Sequence, residues 1–123
     1  MVQLSDMIAQ RLHEIVSTGT LGLDYTFDAE REKNKALRRK YVVDDAKVRD
    51  ILLLLTGSHY IKSEQSDNEE HLGDTVHVFK IIVALMPRYV EDAICNDICI
   101  YIKVTWPDGE EPMFIISFHE DEE

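Results

Sequence analysis

The sequence predicts an α+β fold in which N-terminal helices pack on one face of a small antiparallel sheet of four strands. Three observations lead there. Apolar positions in the first half recur at helical spacing while those in the second half alternate, so the period shifts from about 3.6 to about 2 along the chain. Residues 96–120, NDICIYIKVTWPDGEEPMFIISFHE, hold two alternating runs joined by an Asp108–Gly109 pair between Pro107 and Pro112, the pattern of a hairpin. Finally, 123 residues with 45% hydrophobic content suffice for one core and not for two, so residues 1–123 read as one domain.

Ser5 is placed to cap a first helix whose Met7, Ile8, Leu12, Ile15 and Val16 form an apolar stripe, with Gly19 as its stop. Residues 21–27, LGLDYTF, suit a short extended piece. Residues 28–41, DAEREKNKALRRKY, read as a charged helix with only Ala29, Ala36 and Leu37 as apolar contacts, which keeps it at the surface. Its Lys33, Lys35, Arg38, Arg39 and Lys40 are the densest positive charge in the chain. They suit a solvated face, a contact with phosphate or an acidic partner, or a contact with the acidic half of the same chain. Asp44 then caps the core helix. Val43 is set to staple against Val48, while Val48, Ile51, Leu52 and Leu55 form its buried stripe and Gly57 ends it.

Residues 58–67 alternate, with Tyr60, Lys62 and Glu64 on one face and His59, Ile61, Ser63 and Gln65 on the other. An acidic loop at 67–74 leads into a long strand from Thr75 to Met86, closed by Pro87. There Val76, Val78, Ile82, Ala84 and Met86 face one way and His77, Phe79, Ile81, Val83 and Leu85 the other. Lys80 interrupts the first row, which suggests a bulge or a change of covering partner. In the hairpin Ile98, Ile100, Ile102, Val104 and Trp106 form one core row, and Phe114, Ile116 and Phe118 are expected to join it. Tyr101, Lys103, Ser117 and His119 then project together from the opposite face.

Charge bears on partners. The net charge is −11, yet residues 1–63 carry nine acidic and ten basic side chains, while residues 64–123 carry fifteen acidic and three basic. Such a half repels a phosphate backbone unless its few cations gather on one face. Cys95 and Cys99 lie at the start of a strand, where their spacing does not favour a disulfide; two free thiols fit a reducing compartment. No CxxC or HxxxH spacing points to a metal, and no glycine-rich phosphate loop or nucleophile elbow points to a nucleotide cofactor or a hydrolase, so no cofactor is expected. The N-terminus lacks the pattern of a signal peptide and no window approaches about 18 apolar residues, so a cytoplasmic chain with no membrane partner is expected.

Several stretches carry a family resemblance. LSDMIAQRLHEIV, RDILLLLTG, SHYIKSEQSD, TVHVF and above all IYIKVT and MFIISFH are similar to the MqsR-type mRNA interferases, toxins of bacterial toxin–antitoxin modules with a RelE-like fold. Residues 48–67 and 98–119 carry most of it. The resemblance implies helices against a small antiparallel sheet, metal-independent endoribonuclease action on single-stranded RNA, and an antitoxin protein as partner. The family's first-hairpin Lys falls on Lys62, its third-strand Tyr on Tyr101 and the Lys two residues later on Lys103. Where the family has a Lys beside the last Phe this chain has His119, and near its second-strand Gln lie His77, Val78 and Lys80. Its members are basic, whereas this chain is acidic.

Cleavage by 2′-oxygen attack needs a proton acceptor, a cation at the phosphate and a donor for the leaving oxygen. The resemblance makes Lys62, Tyr101 and His119 the catalytic candidates: Lys62 for charge, His119 for proton transfer near neutral pH, Tyr101 for orientation or proton donation. Lys103, His77 and Lys80 are the candidates for substrate binding. Each has a plainer reading, with Tyr101 as cross-strand packing, His119 as an exposed strand end and the lysines as edge charges. A second function class stands beside the first. A non-enzymatic acidic interaction protein would present residues 64–123 to a basic protein partner or mimic nucleic acid, with strong salt dependence.

Overall fold

The computed structural model describes residues 3–65, 74–107 and 112–121. The chain runs α1 (Leu4–Thr18), β1 (Tyr25–Phe27), α2 (Glu32–Lys40), α3 (Asp45–Leu54), a 3₁₀ turn (Gly57–His59), β2 (Tyr60–Gln65), β3 (Thr75–Leu85), β4 (Asn96–Thr105) and β5 (Met113–Glu120). The architecture is α+β, as the change of period implies. The sheet differs from the expected four antiparallel strands: it has five, in the order β1-β5-β4-β3-β2, and is mixed because β1 runs parallel to β5. The extended piece expected at 21–27 supplies that fifth strand, whose three residues are too few for alternation to announce. The acidic loop at 67–73 and the Asp108–Gly109 turn lie outside the described residues.

Local chemistry explains the helix ends. Asp44 accepts from the Lys47 N–H at 2.8 Å and caps α3 as expected. Val48, Ile51, Leu52 and Leu55 are at most 1% exposed, and each such burial stabilises by about 1.5–3 kcal/mol. α3 stops before Gly57 because Thr56 caps the 3₁₀ turn and its N–H donates to His59 Nδ1 at 2.9 Å. α1 starts at Leu4 with Gln3 as N-cap, so Ser5 lies inside the first turn and Met7 is exposed. α2 begins later than Asp28, because Asp28 Oδ1 accepts from the Glu30 and Arg31 N–H groups and holds a turn there.

One cluster of buried residues joins α1, α3 and the inner sheet face, where Phe79, Leu85, Ile100, Ile102, Ile115 and Phe118 are at most 1% exposed. Two register shifts decide what faces the other way. In β2 the pairing moves between Tyr60↔Phe79 and Lys62↔Val78, so Ile61 is a bulge, Tyr60 faces inward and Lys62 outward. In β5 the pairing moves between Lys103↔Ser117 and Val104↔Ile115, which makes Ile116 a second bulge. Met113, Ile115 and Phe118 therefore enter the core, and Phe114 takes the outer face in place of the row expected from strict alternation. β3 pairs with β4 without interruption from Val76 to Leu85, so Lys80 marks no bulge in that ladder and lies opposite Tyr101.

The Asn34 side chain of α2 covers the backbone edge of β5. β1 aligns only with Met113–Ile115, and beyond it the Asn34 amide stands in for a strand. Its Nδ2 donates to Ile116 O at 3.0 Å and to Asp28 O at 2.8 Å, and its Oδ1 accepts from the Phe118 N–H at 2.8 Å. A carboxamide offers the same donor and acceptor as a peptide group, so Asn34, 1% exposed, satisfies the edge. Among the described residues no helix is long and apolar enough to cross a membrane.

Candidate functional site

The outer face gathers five of the six side chains singled out from the sequence. Tyr101 lies directly across from His119 in the β4–β5 ladder, and their rings stack with centroids 5.3 Å apart and planes 23° from parallel. Lys80 on β3 and Lys103 on β4 place their Nζ atoms 5.9 and 5.7 Å from the Tyr101 ring. Lys62 lies on β2 in the row Lys62↔Val78↔Lys103↔Ser117, and Glu64 links it to Lys103 with contacts of 3.1 and 3.0 Å. The Ile61 bulge puts Lys62 in this row; an unbroken strand would have kept it beside Tyr60 on the inner face.

His77 does not join them. Its register partner Val104 lies on the inner face, where Tyr60 Oη meets His77 Nδ1 at 3.0 Å and the imidazole meets Trp106 edge-on at 5.9 Å. Burial, reinforced by the Arg11 charge, pushes the His77 pKa down by disfavouring the charged imidazolium. Arg11 stacks over Trp106 at 4.3 Å rather than standing in solvent.

The pocket at the stacked pair has a volume of about 260 Å³ and is lined by Arg31, Lys33, Tyr101, Lys103, Ser117, His119 and Asp121. Lys33 comes from the basic cluster of α2. The other cluster residues pair elsewhere: Lys35 with Glu30, Arg38 with Asp45, Arg39 with Glu32, and Lys40 with Glu120. Only the last of these joins the cluster to the acidic half. The pocket therefore carries three cations against one carboxylate in a chain of net charge −11.

Two polar side chains set the chemistry of this pocket. The Ser117 hydroxyl is fully buried, lines the pocket and has no hydrogen-bond partner. His119, 8% exposed, is not the exposed strand end of the plainer reading, and its Nδ1 lies 3.0 Å from Glu120 O. A carbonyl accepts only, so Nδ1 carries the proton and in the neutral ring Nε2 carries the lone pair. Glu64, hydrogen-bonded by Lys103 and then Lys62, titrates below the usual carboxylate range. The thiols of exposed Cys95 and half-buried Cys99 are free. Among the described residues no three His, Cys, Asp or Glu side chains converge on a metal position.

Sequence reasoning passed over Arg31, Asn34, Glu64 and Asp121. Asn34 alone left a signal, a lone amide three residues before Leu37 on the buried face of α2. The chain matches no family model, no curated protein and no solved structure.

Proposed function

We propose that the outer face binds single-stranded RNA and cleaves it without a metal ion. This is the activity of a toxin–antitoxin endoribonuclease of RelE-like fold, with an antitoxin protein as its partner. The stacked Tyr101–His119 pair, with Lys80 and Lys103 beside the Tyr101 ring and Arg31 and Lys33 lining the same pocket, carries this reading. Flat rings offer a stacking platform to an unpaired base, and cations beside them take the backbone.

The chemistry follows from the same atoms. His119 Nε2 accepts the proton of a ribose 2′-hydroxyl, and the 2′ oxygen attacks the adjoining phosphorus. The bond from phosphorus to the 5′ oxygen breaks as the Tyr101 hydroxyl donates a proton to that oxygen, leaving a 2′,3′-cyclic phosphate and a 5′-hydroxyl. Lys103 stabilises the charge that builds on the phosphoryl oxygens, and Ser117 Oγ, Arg31 and Lys33 hold the neighbouring backbone. Proton return from imidazolium to phenolate resets the pair.

Purified wild type, Tyr101→Phe and His119→Ala are compared on a mixed-sequence RNA in the presence of a chelator. Wild type is expected to leave cyclic-phosphate ends, with His119→Ala slower by about 10²–10⁴-fold. No cleavage at high protein concentration refutes the activity; cleavage indifferent to both changes refutes the site.

A second reading rests on a different observation. Residues 64–123 carry fifteen acids and three cations, two of which, Lys80 and Lys103, are already paired with carboxylates. That half would present carboxylates to a basic protein. Salt-sensitive retention on immobilised polylysine, with no binding to RNA at low salt, favours this reading over the first.

A further inference from the structure

Three lysines around the stacked pair are each held by a carboxylate of this chain. Lys80 Nζ lies 3.1 Å from Asp121 Oδ2, Lys103 Nζ 3.0 Å from Glu64 Oε1 and Lys62 Nζ 3.1 Å from Glu64 Oε2. The Lys80 and Lys103 pairs are less exposed than the solvated pairs of α2, whereas Lys62 is 56% exposed. Lys35 and Glu30 are 44% and 88% exposed, whereas Lys80 and Asp121 are 26% and 16% exposed. Backbone geometry sets both acids. The Asp121 N–H donates to Cys99 O at 2.8 Å just beyond the last β5 pairing, and Glu64 is in register with Val76. Asp121 also borders both the pocket at Tyr101 and an adjacent groove of about 470 Å³ that includes Lys33, Leu37 and Lys40.

We propose that Asp121 and Glu64 are internal competitors for phosphate, occupying Lys80, Lys103 and Lys62 at rest, and that an RNA backbone enters by displacing them. The proposal rests on the RNA reading of this face and specifies its regulation. A carboxylate presents two anionic oxygens to a lysine much as a phosphate does, so either can satisfy the same ammonium. In the resting molecule these lysines already have counter-charges, and a phosphate that binds there releases few ions. Removing a carboxylate makes its lysine available to phosphate, which raises affinity and steepens the salt dependence together.

Binding of a fluorescein-labelled decauridylate, followed by anisotropy across salt, tests this. The proteins are wild type, Asp121→Asn, Glu64→Gln, the double variant and the control Glu91→Gln. Glu91 is exposed in the β3–β4 connection and belongs to none of these ion pairs; Asn96, where that connection enters β4, is five residues, about 17 Å, along the strand from Tyr101. Asp121→Asn and Glu64→Gln are each expected to tighten binding about two- to fivefold, with the double variant near the product. The log–log salt slope should steepen by about 0.7 per lysine released. Glu91→Gln should change neither quantity appreciably.

Equal tightening by Glu91→Gln would mean that net charge alone matters and would overturn the proposal. Wild-type binding that neither site variant alters overturns it too, while leaving the RNA reading intact. No binding by any of the proteins at low salt overturns both. Glu64 lies on β2 and Asp121 just past the end of β5, so a folding defect in one variant leaves the other as the test.

Discussion

Replacing Asn34 tests how α2 is held beside the outer face. Asn34→Leu keeps the number and branching of the side-chain heavy atoms and removes all three hydrogen bonds at once. Ile116 O and the Phe118 N–H are buried with their residues and lose their partner, at about 1–3 kcal/mol each. Asp28 O is only partly buried, so water replaces much of its loss. The sum is about 2–6 kcal/mol, a large share of the about 5–15 kcal/mol that holds a domain together. Asn34→Ala should cost less despite being smaller, because the space left is polar and admits a water that reaches the same groups. Urea unfolding is followed by the fluorescence of Trp106, the single tryptophan. A loss below about 1 kcal/mol for Asn34→Leu with an unchanged m-value refutes the claim that this amide anchors α2. The ordering of the two variants checks the reason: if Ala costs more than Leu, lost packing and not the orphaned backbone groups dominates.

Two further expectations concern stability. Because burial and Arg11 depress the His77 pKa, the unfolded chain binds a proton at about pH 6.5 that the folded chain resists. This contribution is complete above that pH and is lost as the pH falls through and below it, so His77→Gln should flatten the pH dependence of the urea midpoint on the acid side; a wild-type midpoint that falls no more steeply than the variant's refutes the assignment. Gly19 is required for space, since its φ of −94° suits any residue. An added methyl would overlap Ile15 O and lie 2.7 Å from Asp24 Cβ, so Gly19→Ala should lower stability by about 1–3 kcal/mol; an unchanged melting temperature would show that the turn relaxes freely.

The legible parts of the fold are those with long periodic patterns. The Ile98-to-Trp106 row, the α3 stripe and the Asp44 cap are all local patterns, and each is present where the spacing puts it. The pairing of Tyr101 with His119 was legible as well, because a hairpin with a short connection leaves few registers. What alternation could not reveal were the bulges at Ile61 and Ile116. A bulge adds one residue without changing residue types, yet it exchanges the faces of everything on one side of it. That is why Lys62 and Phe114 turned outward and Met113 and Ile115 entered the core. The fifth strand escaped for a different reason, since parallel pairing of Tyr25–Phe27 with Met113–Ile115 depends on residues far apart in the chain.

By itself the sequence determined the α+β class, the core rows of α3 and β4, the acid-rich second half and the reach of Tyr101 to His119. Those follow from short-range spacing and composition, which survive whatever the rest of the chain does. The tertiary structure alone decided that Arg31 and Lys33 line one pocket with that pair, that His77 faces away from it, and that Asp121 and Glu64 sit on the lysines beside it. These depend on which strand lies next to which, where two bulges fall, and how one buried amide ties α2 to the edge of β5. Each is a contact between distant residues, set by the packing of the whole sheet rather than by any local run of side chains.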